Sequence, residues 1–241
     1  MAEGLRQTFD HVWTSDDIPE DWYKGIILRL YKGMGSKTEC GNYGGITLLS
    51  VPSKVFAHVL LNHIKPLLLS KRRQEQSGFT PGHSTVDQIF TLNILAQTRR
   101  EFHKPLFAVY VDLKAAFDSV DRQVLRQLLL ALGLPRKVMH MIEALYTNTE
   151  SCVRVDGNTS NSFQARSGVQ QGCVLAPDSF DVAMDGILER STSIAKHGAS
   201  VGDENFSDIY YADDVAPSRS SWSCYNRPWK YLLLRLYPLR W

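Results

Sequence analysis

Acidic residues run out early in this chain of 241 residues: none follows Asp214, whereas Arg219, Arg227, Lys230, Arg235 and Arg240 do. The net charge is only +2, so the body before that basic end leans slightly acidic. No global charge announces a nucleic-acid partner. Cysteine is scarce and scattered. Cys40, Cys152, Cys173 and Cys224 form no CxxC and no Cys/His pair at zinc spacing, which argues against a disulfide framework or structural zinc and for a reducing, intracellular compartment. Long apolar runs are missing as well. Nothing approaches the roughly 18 residues of a membrane span, and Leu232-Leu233-Leu234 is cut at once by Arg235. The first ten residues are charged and hold no apolar core, so no secretory signal is read there. Lys32-Gly33-Met34-Gly35-Ser36-Lys37 lacks the Gly-Lys-Ser/Thr ending of a Walker loop. What remains is 44% apolar and 10% aromatic residues, enough to build one large domain or two small ones.

Helices and strands mix along the chain without strict alternation, which predicts an α+β fold. Residues 1–21 read as a polar lead. Gly25 to Tyr31 reads as a strand. Val55 to Leu69 has helical apolar spacing, with Pro66 expected to bend or end the helix. Ser84 with Asp87 forms a capping-box variant ahead of another helix. Leu106 to Val111 is a continuous apolar run, expected to be a strand buried on both faces and ended by Asp112. Arg122–Leu132, closed by Gly133, and Arg136–Tyr146, opened by Pro135, are predicted helices. Asp156-Gly157 marks a hairpin. Ser179 to Ile194 is helical, and 206–211 with 215–216 flank a hairpin that carries Asp213-Asp214.

Those acids are the informative feature. A carboxylate at the end of an apolar strand is costly unless it is solvated or meets a cation. Taken singly, Asp112 is an ordinary strand end and Asp213-Asp214 an ordinary turn. Brought together, the three would offer hard oxygen donors of the kind Mg²⁺ prefers beside substrate phosphates.

Five segments turn this into a resemblance. Tyr211-Ala212-Asp213-Asp214 resembles the YADD box of reverse transcriptases. Val109 to Asp118 resembles the strand-and-turn box that carries their first catalytic aspartate. Gly168-Val169-Gln170-Gln171-Gly172-Cys173-Val174-Leu175-Ala176-Pro177 resembles their G-V-x-Q-G-C-x-L-S-P segment. Asn42-Tyr43-Gly44-Gly45-Ile46-Thr47-Leu48-Leu49 resembles N-Y-R-x-I-x-L-L, and Gln76 to Thr85 resembles Q-x-G-F-x-x-G-R-S-T. All stand in the family's order between about Trp22 and Ala216, and the likeness is to non-LTR (LINE-type) retrotransposons.

The resemblance implies a right-hand polymerase: fingers at about 22–105 and a palm at about 106–216, with an antiparallel palm sheet flanked by helices. It implies RNA-directed DNA polymerase activity with an RNA template, a DNA primer, dNTPs and two Mg²⁺ or Mn²⁺ ions, in nucleus and cytoplasm. Asp112, Asp213 and Asp214 would be catalytic and metal-binding. The Leu113 carbonyl, Phe117 under the incoming sugar, and Gln171 with Gly172 would bind nucleotide. Phe117 as a core anchor, and Gln171-Gly172 as a plain loop before a helix, stay open. So do Lys32, Lys37 and the run Lys71-Arg72-Arg73, each either a phosphate contact or a solvated cation. Gly44 and His83 stand where relatives carry Arg, Gln170 replaces another frequent Arg, and Tyr210 precedes the YADD box in place of Asp or a small apolar residue. Residues 217–241 read as an unrelated basic, aromatic tail, disordered or a gene-model artefact. A non-catalytic relic of a retrotransposon with the same fold is the alternative function.

Overall fold

The computed structural model describes residues 2–111, 113, 115–194, 198–201, 204–206 and 208–219. Its elements run α1 (Ala2–Ser15), β1 (Lys24–Tyr31), β2 (Tyr43–Leu48), α2 (Val51–Lys71), α3 (Thr85–Glu101), β3 (Phe107–Ala108), α4 (Arg122–Ala131), α5 (Arg136–Tyr146), β4 (Glu150–Val155), β5 (Asn158–Thr159), β6 (Phe163–Gln164), α6 (Ala176–Ile194), β7 (Ala199–Val201), β8 (Glu204–Phe206), β9 (Asp208–Tyr211) and β10 (Asp214–Arg219). The mixture is α+β, as composition and pattern predict.

Contacts divide the chain into two units that interleave in sequence: Met1–Leu68 with Phe117–Ser179, and the described residues of Leu69–Ala116 with Phe180–Trp241. This partition differs from the sequential one at about residue 105.

The first unit holds a five-stranded sheet in the order β2-β1-β4-β5, with β6 also on β4. β1 runs antiparallel to β2 and parallel to β4. Asp156 and Gly157 both have positive φ, the backbone of a primed hairpin turn, and Val155 pairs with Asn158 across them. Residues 1–21 are more than a polar lead. They supply α1, whose Val12 is fully buried and whose Phe9 ring lies 5.9 Å from Trp22 and 5.4 Å from Phe56. Large apolar residues are sparse in it, Leu5, Phe9, Val12 and Trp13 standing among polar and charged neighbours, which is why the segment reads as polar.

α2 runs on through Pro66 to Lys71, so the proline does not end the helix. The carbonyl that Pro66 leaves without a helical donor belongs to Asn62, and both residues are exposed, so water can take that bond while Ile64 and Leu68 stay buried.

The second unit holds a three-stranded sheet, β3-β10-β9, antiparallel throughout. Ser84 and Asp87 close the predicted capping box at the start of α3, the Ser84 amide donating to Asp87 Oδ2 at 2.6 Å. α3 packs Leu95 against Ala199 and Ile209. The run 106–111 is not buried on both faces: Ala108, Val109 and Val111 are, but Tyr110 is 39% exposed. Pro217, Ser218 and Arg219 belong to β10 rather than to an unrelated tail. Strand pairing survives Pro217 because its carbonyl, not its missing N–H, is used, accepting from the Val109 amide at 3.2 Å. The remainder of the predicted tail, 220–241 with Cys224, lies outside the described residues.

Candidate active site

In the second unit, Tyr211 pairs with Asp214, leaving Ala212 and Asp213 as a two-residue loop between β9 and β10. Ala212 is 7% exposed and has φ of 55°, a left-handed conformation rare for a residue with a Cβ. Asp213 is half-buried and Asp214 exposed, so the acids sit at the predicted hairpin tip with their carboxylates near water.

The neighbouring strand reaches the same place. Val111 and Val215 exchange both backbone hydrogen bonds, at 2.8 and 3.3 Å. Val111 immediately precedes Asp112, and Val215 immediately follows Asp214. Asp112 itself lies outside the described residues. Leu113 is described and half-buried. Among the described residues no three His, Cys, Asp or Glu gather closely enough to hold a metal. Asp213 and Asp214 nonetheless supply the donor chemistry a hard cation takes, carboxylate oxygens at a half-open turn.

Behind the turn lies a buried polar layer that sequence reasoning missed. Gln76, 1% exposed, forms a parallel bridge to Tyr210. Its Oε1 accepts from the Gly78 amide at 2.7 Å and the Ala212 amide at 3.2 Å, and its Nε2 donates to Asp181 Oδ1 at 3.0 Å. Arg72 pairs with Asp181 at 2.9 Å, both side chains buried. Arg73 forks onto Asp208 at 2.7 and 3.0 Å and covers the Tyr210 ring at 5.4 Å. Burial works against the Arg73 charge, yet Asp208 holds the guanidinium above its ordinary value. Arg72 and Arg73 are therefore internal partners of acids, neither solvated cations nor phosphate contacts. Tyr210, the departure before the YADD box, is a buried anchor whose hydroxyl donates to Asp185. Burial raises both groups, Asp185 and Tyr210.

The other predicted site residues belong to the first unit. Phe117 is half-buried in a short 3-10 turn, Phe117–Ser119. Its carbonyl accepts from the Val169 amide at 2.8 Å, so the structure joins the Phe117 turn to the 168–177 box. Gln171 is exposed and Gly172 half-buried. The Gln171 carbonyl accepts from the Thr47 amide at 2.7 Å. A Cβ on Gly172 would stand 2.1 Å from the Thr47 carbonyl oxygen, with φ at 122°, so packing against β2 already demands glycine here. Arg122, read in sequence only as a helix start, ties this region together. It donates to the carbonyls of Gly168 at 2.8 Å and Tyr146 at 2.7 Å. Cys173 is buried, and burial pushes its thiol up, which makes it inert rather than nucleophilic. Gly44 sits in β2 opposite Leu30. His83 is exposed, its Nδ1 3.3 Å from Ser77 Oγ.

Residues 34–221 match the family model described as reverse transcriptase (RNA-dependent DNA polymerase). This chain belongs to the reverse transcriptase family. It is 25% identical over 199 residues to a retrovirus-related Pol polyprotein from type-1 retrotransposable element R2 of Popillia japonica, covering 82% of this chain and 28% of that protein. It is 29% identical over 161 residues to a probable RNA-directed DNA polymerase from transposon BS of Drosophila melanogaster, covering 66% of this chain and 18% of that one. The chain thus spans less than a third of either relative. Its fold is similar to apo telomerase from Candida tropicalis truncated from the C-terminal domain, with a TM-score of 0.59 at 11% identity, over 92% of this chain and 50% of that structure. No helix among the described residues is long and apolar enough to cross a membrane.

Proposed function

We propose that this reverse transcriptase chain is the nucleotide-adding core of an RNA-directed DNA polymerase from a non-LTR (LINE-type) retrotransposon. It works on an RNA template and a DNA primer in nucleus and cytoplasm. The observation that carries this reading is the Val111–Val215 pairing, which brings the residue before Asp112 level with the residue after Asp214, beside the Asp213 turn.

Asp112 and Asp213 act as the metal ligands and Asp214 as a supporting acid, with the Leu113 carbonyl as a further oxygen. Bound there, two Mg²⁺ or Mn²⁺ ions would lower the pKa of the primer 3′-hydroxyl and neutralise the leaving pyrophosphate. Phe117 stacks under the incoming sugar and excludes a 2′-hydroxyl. Gln171 and Gly172 lie along the nucleotide and template base. Base pairing reads the template, so the protein supplies shape and backbone contacts.

A second reading, a non-catalytic relic with the same fold, draws on Gly44, which offers no side chain where the resemblance places an Arg. An Arg fork grips phosphate in a way neither Gly nor neutral His reproduces, so the activity expected of this chain alone is weak.

Primer extension on an RNA template decides between the two. Weak Mg²⁺-dependent extension that Asp213→Ala reduces by about 100-fold or more supports the polymerase. No extension by the intact chain with Mg²⁺ or Mn²⁺ leaves only the relic.

A further inference from the structure

We propose that Gln76 is a positioning residue for the acidic turn: its buried carboxamide fixes the backbone at Ala212 and thereby the direction in which Asp213 leaves the hairpin. The proposal rests on the polymerase reading for its purpose, but not for its geometry.

Ala212 opens a two-residue loop, so its N–H has no place in the β9–β10 ladder. The residue is nearly buried, and a buried N–H needs an acceptor. Gln76 Oε1 is that acceptor, at 3.2 Å. The bond also holds a positive φ that an alanine adopts at a cost of about 1–2 kcal/mol. The acceptor is itself firmly held. Its oxygen takes a second bond from Gly78, its Nε2 is spent on Asp181, and Asp181 is locked by Arg72.

The backbone around Gln76 follows the same strand. The Ser77 amide donates to the Tyr210 carbonyl at 3.3 Å. A Cβ on Gly78 would lie 2.2 Å from the Ala212 nitrogen, so the loop approaches as closely as glycine permits. A carboxamide is the group this position requires. Glutamate has no donor for Asp181 and would set two carboxylates side by side, and leucine leaves the Ala212 and Gly78 amides without Oε1.

The chemistry required at Gln76 can be exchanged with that at Asp181, which provides the test. In the double variant Gln76→Glu/Asp181→Asn, the carboxylate introduced at position 76 accepts from Ala212 and Gly78. The carboxamide introduced at position 181 donates to that carboxylate, and the cluster keeps its charge beside Arg72. The full chain, Gln76→Leu, Gln76→Glu and the double variant are compared by two measurements. One is hydrogen exchange of the peptide covering 209–216, with the α5 peptide as reference. The other is the Mg²⁺ concentration giving half-maximal primer extension.

Gln76→Leu and Gln76→Glu are expected to speed exchange at the turn by about 10-fold while α5 is unchanged. They are also expected to raise the half-saturating Mg²⁺ by about 5-fold or more, since a displacement near 1 Å at a reacting site is costly. The double variant is expected to return both readouts to within about 2-fold of the parent. Unchanged exchange at the turn in Gln76→Leu overturns the proposal. So does an equal rise throughout the chain, which would mark a merely structural residue, and so does failure of the double variant to restore the turn. If the parent chain extends no primer, the polymerase reading fails and exchange alone still decides what Gln76 does.

Discussion

The Thr47 amide donates to the Gln171 carbonyl at 2.7 Å, and that bond seals the 168–177 box onto the inner end of β2. It turns two segments that stand far apart in sequence into one piece of structure. The Thr47 carbonyl oxygen then occupies the space in which any side chain at position 172 would begin.

Gly172→Ala meets this twice, by the close carbonyl and by a positive φ. The expected destabilisation in urea is about 3 kcal/mol or more. Gly41→Ala, where an added Cβ meets nothing within 4 Å, is expected to stay within about 0.5 kcal/mol. Equal midpoints for the two variants would remove packing as the reason for glycine at 172 and return it to nucleotide contact alone.

Arg73 and Asp208 make the second case. Asp208 is fully buried and faces the Arg73 fork. Arg73→Ala removes the cation that compensates this carboxylate, so thermal and urea unfolding should show a loss of about 3–5 kcal/mol. Arg73→Lys keeps the charge without the planar two-point grip and should fall between. A loss under about 1 kcal/mol in Arg73→Ala would show that the pair contributes no more than an exposed one.

How far such features are legible in sequence depends on where their partners lie. α4, α5, the Asp156-Gly157 turn, the Ser84–Asp87 box and the Asp213-Asp214 hairpin are specified within a few residues of themselves, and all form where pattern and turn chemistry predict them. Arg72 and Arg73 read as a basic run because Asp181 and Asp208 are remote in sequence. Gln76 reads only as the start of the Q-x-G-F segment, with no partner, for the same reason: Asp181 is 105 residues away. Pro66 misleads because the rule about proline counts a lost bond, whereas the cost depends on whether water reaches the orphaned carbonyl. For Asp112, the resemblance and the register of its neighbour Val111 are what place it in the proposal.

Asp185 links the buried layer to pH. Burial raises its carboxyl above the ordinary range, partly offset by the Tyr210 hydroxyl and by Arg73 and Arg72. The folded chain then binds a proton that the unfolded chain has released, so stability falls as pH rises from the unfolded value near about 4 through the raised folded value. Above that window the penalty is constant. Asp185→Asn has no such titration. Measured between about pH 4 and 7, the parent is expected to lose stability relative to Asp185→Asn as pH rises, and a constant difference would mean that Asp185 titrates as an ordinary aspartate.

Phe117 separates a binding role from a packing role. Its backbone already has structural work, accepting from Val169, but this hydrogen bond does not require an aromatic side chain. The ring is half-buried, so it is neither a full core anchor nor an idle surface group. If it stacks under the incoming sugar, Phe117→Val keeps the backbone bond and opens space for a 2′-hydroxyl. Incorporation of rNTP relative to dNTP should then rise by about 10- to 100-fold, the range a change of a few methylene-sized groups gives in a pocket, while the unfolding midpoint moves little. A core anchor would behave in the opposite way: Phe117→Val would lower stability by about 1–2 kcal/mol and leave the rNTP/dNTP ratio where it was.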